Sequence, residues 1–283
     1  MKIQEEIIKY YERYDESKRL ASDIGPLELV RTQELIKRFL PSLPAVILDV
    51  GGATGIYSYW LAAQKYTVHL VDIVPRHIER AKAVAEQADS PKLASLRVGD
   101  ARKLDFRDGY ADMVMLHGPL YHLADKRDRL VAIAEAKRVL KAGGLLLAFA
   151  ITRYAGLIYG LTKGLVFNRD YLRMITTEVE TGQRVDPPPG AMTFPNAYFH
   201  LPQELEQELT HQLERTDLTG EARRDLSLAR VVTLHALGQA RRARMLFNEI
   251  RSADPRDPVV LRFELELQWL REKAAERRAP PRP

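Results

Sequence analysis

The sequence predicts an α/β protein built on a doubly wound, mostly parallel sheet flanked by helices, with a helical C-terminal appendage. Three observations carry that reading. Between residues 46 and 151, short apolar runs alternate with amphipathic helical periods, the pattern of strands buried on both faces and joined by crossover helices. The first run ends in Asp49 and is followed by Gly51-Gly52-Ala53-Thr54-Gly55, a strand, glycine turn and helix in succession. Beyond residue 201 the composition shifts: 14 of the 16 glycines precede it, and Lys273 is the single lysine after it.

In chain order, Ile3, Ile7, Tyr10, Tyr11 and Tyr14 recur at helical spacing and predict a first helix with one apolar-aromatic face. Gly25-Pro26 breaks it, and Leu27 to Leu40 predicts a second helix, stopped by Pro41. Val46 to Val50 reads as the first strand, Ile56 to Gln64 as a helix and Thr67 to Asp72 as the second strand. Pro75 opens a helix reaching about Asp89, since its fixed φ and missing N–H suit a first turn. Leu93 to Val98 and Asp112 to Leu116 are the third and fourth strands. Lys126 to Leu140 is a helix closed by Ala142-Gly143-Gly144, and Leu145 to Ile151 is the fifth strand. Thr152 to His200 reads as irregular, with turns at 186–190 and 194–195, and Pro202 to Glu214 as a helix. The expected organisation is a helical cap over 1–40, a core over 41–215 with an insertion at 153–200, and a helical segment over 216–283.

Composition narrows the function. At 283 residues, 46% hydrophobic and 29% charged, the chain can bury a sizeable core and is unlike a mainly disordered one. It has no cysteine, which removes disulfides, thiolate metal sites and a cysteine nucleophile. A net charge of +5, with no run of five basic residues, gives no basic tail, so no nucleic-acid partner is expected. The charged N-terminus lacks the apolar stretch of a signal peptide. The longest apolar run, Leu145 to Ile151, is far short of the ~20 residues that span a bilayer. A cytoplasmic protein without a membrane partner is the expectation.

The chemistry sits at strand ends. Glycines after the first strand let backbone approach a ligand with no Cβ in the way. Asp72 ends the second strand about twenty residues later, where a carboxylate accepts both ribose hydroxyls; the alternative is an acid that caps the helix at Pro75. Asp100 ends the third strand. Three acids on one carboxyl edge converge on the crevice where open α/β sheets bind ligands.

With these residues in place, the chain resembles the class I S-adenosylmethionine-dependent methyltransferases, a Rossmann-like family. The matching segments are VILDVGGATG (46–55), VHLVDIVPRHIERA (68–81), RVGDARKLDF (97–106), ADMVMLHGPLYHL (111–123) and EAKRVLKAGGLLLAFAI (135–151). YYERYDESKRL (10–20) resembles the substrate-side helix of small-molecule members. The resemblance implies that Asp49, Gly51, Gly52 and Gly55 line the methionine end of the cofactor. It further implies that Asp72 holds the ribose beside Ile73, and Asp100 with Ala101 the adenine. Ala53 departs from the family, whose loop usually carries glycine there.

Methyl transfer calls mainly for in-line positioning, with a base where the nucleophile must lose a proton. His117, Tyr121 and His122 follow the fourth strand, where the methyl group should lie, and His122 is the leading candidate for base or acceptor ligand; the alternatives are a capping histidine and a packing tyrosine. Tyr10, Tyr11 and Tyr14 read either as core or as a lid whose Tyr11 faces the sulfonium, an aromatic face being worth on the order of 1 kcal/mol to a cation. Arg31 either pairs with the cofactor carboxylate or is solvated. No metal is expected, since His117 and His122 are five apart and no carboxylate completes a triad.

Two alternatives stay open. A short-chain reductase is suggested by GGATGI (51–56) and by Tyr159 with Lys163. Against it stand Tyr57 where a glycine should admit the pyrophosphate, and an apolar stretch where a catalytic serine is expected. A non-catalytic cofactor-binding adaptor is suggested by the far end of the chain. The family's last two strands are not evident there; Val231–Leu234 and Val259–Leu261 are the candidates. Leu237 to Pro255 resembles the second helix of a tetratricopeptide repeat, with room for about one and a half repeats, so 216–283 is expected to pack on the core, over the fifth strand, or to bind a partner or a second copy.

Overall fold

The computed structural model describes residues 2–21, 25–185, 187–188 and 196–214. The core is a five-stranded sheet in the order β3-β2-β1-β4-β5, formed by β1 (Val46–Val50), β2 (Thr67–Asp72), β3 (Ser95–Val98), β4 (Ala111–Leu116) and β5 (Leu140–Ala148). Every neighbouring pair is parallel. The chain runs outward from β1 through β2 to β3, then crosses back to β4 and β5. The loops after β1 and β4 therefore diverge and open a crevice at their carboxyl ends. This is the doubly wound α/β fold that the alternation of runs and helices predicts.

Side chains alternate across each strand, and each face of the sheet has its own core. Leu48, Val50, Val114 and Leu116 face α7 (Lys126–Val139), where Ala132, Ile133, Ala136 and Val139 are fully buried. Ile47, Met113 and Met115 face the other way, toward Tyr57 and Leu61 of α4 (Ile56–Ala63) and Ile36 of α3 (Gly25–Lys37). Asp49 shares that second face by parity, which buries a carboxylate beneath the glycine loop.

Several boundaries differ from expectation, for local reasons. Gly25-Pro26 does not merely break a helix; it forms the first turn of α3, which ends at Lys37. α5 (Pro75–Ala85) stops four residues short of Asp89. Ala142-Gly143-Gly144 does not end a helix: α7 stops at Val139 and β5 has already begun. Ala111 pairs with Leu140 and Met113 with Leu145, so the glycine pair sits in a bulge and the strand ends at Ala148, not Ile151.

The insertion is largely helical rather than irregular. α8 (Ala155–Thr162), a 3₁₀ turn (Leu165–Phe167) and α9 (Arg169–Thr181) precede a short hairpin of Gln183–Arg184 with Ala197–Tyr198. Asn168 caps α9 by accepting from the backbone N–H of Asp170 and Tyr171. α10 (Pro202–Glu214) then lays Leu205 and Leu209 on the α7 core. At the other end, α1 (Lys2–Arg13) and α2 (Glu16–Arg19) close over the crevice. They are held by Arg76 donating to the Glu12 carbonyl and by the Arg80–Asp15 ion pair. The repeat-like reading of 216–283, the strand candidates at 231–234 and 259–261, the turn at 194–195 and, apart from residues 187 and 188, the turn at 186–190 lie outside the described residues.

Candidate active site

The crevice is a cavity of about 770 Å³, bounded by the strand-end loops below and by α1 and α2 above, within the range of sites that enclose a drug-sized ligand. Its floor is the loop after β1. Gly51 has φ +76, and a Cβ there would meet Pro119 at 2.7 Å; a Cβ on Gly52 would meet the Asp49 carboxyl at 2.5 Å. Both positions need glycine for space, and Gly51 for conformation as well. Ala53, the departure from the family loop, takes the left-handed conformation at φ 50, where glycine is usual, and donates its backbone N–H to Asp72 at 2.8 Å.

Of the residues expected to hold a cofactor, Gly51, Gly52, Asp72, Ile73, Asp100 and Ala101 all line the cavity. Asp49 and Gly55 do not. Asp49 is fully buried below the loop, where one oxygen accepts from the Ser58 hydroxyl at 2.6 Å and the other from His117 Nδ1 at 2.7 Å. Gly55 stands at the N-terminus of α4 in a left-handed conformation. Both shape the floor from behind. Arg31 is also misplaced by the sequence reading: it is half exposed and paired with Glu34 at 2.5 Å, off the cavity wall. The arginines that line the cavity are Arg102 and Arg19, the latter between Glu16 at 2.5 Å and Glu28 at 2.7 Å.

Asp72 is more heavily engaged than a simple ribose acceptor. Its carboxylate accepts from the backbone N–H of Ala53 and Val74, and from His77 Nδ1 at 3.1 Å. A carboxylate has about four acceptor sites, so three are taken and about one faces a ligand. The Asp100 carboxylate is held by Arg102, which bridges to Asp128 at 2.9 Å.

The histidines differ in what they can do. His122 is half-buried, its Nε2 shares a 2.9 Å hydrogen bond with Tyr11 Oη, and desolvation pushes its pKa down to about 4. Burial raises the Tyr11 and Tyr121 phenols, so both stay protonated at neutral pH. His117 has the other arrangement. Its ring is stacked between Tyr57 at 4.7 Å and Phe149 at 4.0 Å, and Nδ1 is tied to Asp49. Its Nε2 is buried with no hydrogen-bond partner among the described residues, and the residue lines the cavity. The carboxylate fixes the proton on Nδ1 and leaves Nε2 as the acceptor.

His77, Arg19 and Phe149 were missed by sequence reasoning. His77 was legible as the third residue of a helix whose strand ends in Asp72; the other two carry no local signal. Tyr10 stacks on Tyr14 at 5.5 Å, and Tyr11 meets His77 edge-on at 4.9 Å, so the tyrosine stripe is both core and cavity roof. Among the described residues no cluster of acids and histidines is arranged to hold a metal ion.

Comparisons with known proteins agree with this geometry. Residues 48–148 match the family model described as a methyltransferase domain. A ubiquinone/menaquinone biosynthesis C-methyltransferase of Acidiphilium cryptum is 32% identical over 144 residues, 50% of this chain and 55% of its own length. Nodulation protein S of Rhizobium tropici is 27% identical over 123 residues, 43% of this chain and 50% of its own. The chain thus spans about half the length of the curated relatives it matches. A crystal structure of an S-adenosylmethionine-dependent methyltransferase from Methanosarcina mazei is 26% identical, with a TM-score of 0.51 over 63% of this chain and 83% of that one.

Proposed function

We propose that the chain transfers a methyl group from S-adenosylmethionine to an oxygen, nitrogen or carbon nucleophile of a small molecule. The observation that carries the reading is the glycine floor beside Asp72 and Asp100, all on one cavity at the switch point of the sheet. The residues present fit the cofactor: a Cβ on Gly51 or Gly52 would not fit, and one Asp72 acceptor site is left for a ribose hydroxyl. Asp100 and Ala101 border the adenine position. When bound, S-adenosylmethionine supplies an electrophilic methyl on a sulfonium.

The chain's own residues then do three things. Tyr11 and its neighbours in α1 cover the cavity and exclude water. His122 and Tyr11, both neutral at pH 7 and bonded to each other, present a hydrogen-bonding wall to the acceptor. His117 Nε2 takes the acceptor's proton, and Asp49, a positioning residue, steadies the imidazolium that forms. The sequence favoured His122 as base; its low pKa and its bond to Tyr11 transfer that role to His117. The C-methyltransferase activity for which the Acidiphilium relative is named brings an activated carbon forward among the acceptor atoms.

Calorimetric titration with S-adenosylmethionine and S-adenosylhomocysteine tests the cofactor, and S-adenosylhomocysteine release on a panel of small metabolites tests transfer. A chain that binds neither compound overturns the reading. Asp72→Ala is expected to weaken S-adenosylhomocysteine binding by about 1.5–3 kcal/mol, because a charge-assisted hydrogen bond to the ribose is lost and the Ala53 and Val74 amides lose their acceptor. An unchanged dissociation constant sinks the ribose assignment. NADH and NADPH are expected not to bind, because Tyr57 is buried and stacked on His117 where a pyrophosphate would need open backbone. Saturable fluorescence quenching by either dinucleotide would count against the methyltransferase site.

A further inference from the structure

α8, the 3₁₀ turn and α9 form a unit with two unlike surfaces. Inside, Tyr171, Met174 and Ile175 pack against Leu157, Leu165 and Val179, and the Tyr171 hydroxyl donates to the Gly156 carbonyl at 2.9 Å. That side is apolar and satisfied. Outside, Ile158 is 57% exposed, Leu161 61% and Phe167 90%. Scattered exposed apolar residues need no explanation, but several gathered on one small unit mark a contact surface. The same stretch carries Lys163, Arg169 and Arg173, all exposed, and one acid, Asp170, 3.9 Å from Arg173.

An apolar tip among cations is complementary to an anionic lipid surface: the hydrocarbon enters the boundary between headgroups and acyl chains while the cations meet phosphate. The unit is also continuous with the cavity. Ile151 lines the cavity wall, and α8 begins four residues later.

We propose that the outer surface of α8, the 3₁₀ turn and the start of α9 docks this protein on an anionic lipid surface, and that the methyl acceptor is an amphiphile taken from that surface. The docking stands on the exposed residues alone; the statement about the acceptor rests on the methyltransferase reading. The sequence led to no membrane partner because no segment is long enough to span one. Surface docking needs none, and among the described residues no helix is long and apolar enough to cross a membrane.

Co-sedimentation of the full chain with extruded vesicles, of phosphatidylcholine alone and of phosphatidylcholine with phosphatidylglycerol, tests the proposal. The chain is expected to sediment with the phosphatidylglycerol vesicles, and to be released by high salt. Phe167→Ser with Leu161→Ser should weaken vesicle binding about tenfold or more, and Lys163→Glu or Arg169→Glu about fivefold each. Circular dichroism and S-adenosylhomocysteine affinity should match wild type in all of these, since the residues are exposed and off the cavity wall. A chain that sediments with neither vesicle overturns the proposal. So does binding that ignores phosphatidylglycerol content, or one that the double serine variant leaves intact. Self-association lost in the serine variant, without vesicle binding, would assign the surface to a second copy instead. Vesicle binding requires no cofactor, so its failure is distinguishable from failure of the methyltransferase reading.

Discussion

Replacing His117 by glutamine is expected to lower kcat by about 10²–10⁴-fold, the range that a positioned proton acceptor supplies, with the KM for S-adenosylmethionine largely unchanged. The glutamine amide can still donate to Asp49 and occupy the slot between Tyr57 and Phe149. The floor of the cavity is thereby kept and the basic nitrogen alone is lost. Asp49→Asn approaches the same bond from the other side: it removes the charge that steadies the imidazolium, and kcat should fall again. The measurement is S-adenosylhomocysteine release with an acceptor found on the panel, alongside the cofactor affinity of each variant. A His117→Gln enzyme that turns over near the wild-type rate would return the role to another group. Equal losses in rate and in cofactor binding would make His117 a structural residue.

Arg129→Ala is expected to cost about 3–5 kcal/mol of stability, as breaking a buried ion pair does, or roughly 6–20 °C in Tm for a unit of this size. Arg129 is 1% exposed and makes four hydrogen bonds: two to Glu208 of α10, at 2.6 and 2.9 Å, and one each to the Leu123 and Ala124 carbonyls. Its guanidinium also lies 3.7 Å from the centre of the Tyr198 ring. Removing it leaves a buried carboxylate with, among the described residues, His200 at 3.3 Å to meet it. Burial would raise the Glu208 pKa, but hydrogen bonds from Arg129 and His200 overcome it and hold the carboxyl at about 2, against an ordinary 4.5. A pKa depressed in the folded state gives stability that is present above pH 4.5 and is lost as the pH falls toward 2. The drop is about 3 kcal/mol for this group. Thermal unfolding between pH 7 and pH 3 should show that slope in the wild type and a shallower one in Arg129→Ala. A variant that melts with the wild type would show that α10 is held by Leu205 and Leu209 alone. Arg129→Met with Glu208→Leu should recover most of the loss, because no charge is then left unpaired.

The parallel sheet and the glycine loop were legible because their signals are local. An apolar run, a strand-end acid and a glycine where backbone must turn sharply all lie within a few residues of one another. Even Asp49 could have been placed below the loop by counting from Ile47, since alternate residues share a face. The fifth strand misled because a glycine pair reads as a stop whether it ends a helix or sits in a bulge; the pairing of Leu140 with Ala111 decides which. α9 was hidden among glycines and prolines, although Asn168 and Gly182 mark its two ends. Arg31 and Arg19 are alike as letters. Only the packing of α2 over the crevice turns Arg19 inward, while Arg31 finds Glu34 one turn away.

By itself the sequence determined the layers, the strand ends that carry the acids, and hence the crevice, because hydrophobic period and turn chemistry act over a few residues. The tertiary structure alone decided which partner each of these polar groups keeps. Asp49 meets His117 across 68 residues, Tyr11 meets His122 across 111, and Arg129 meets Glu208 across 79. No local propensity encodes those pairs. They form where burial removes water from two polar groups at once and each offers the other part of the compensation that water gave.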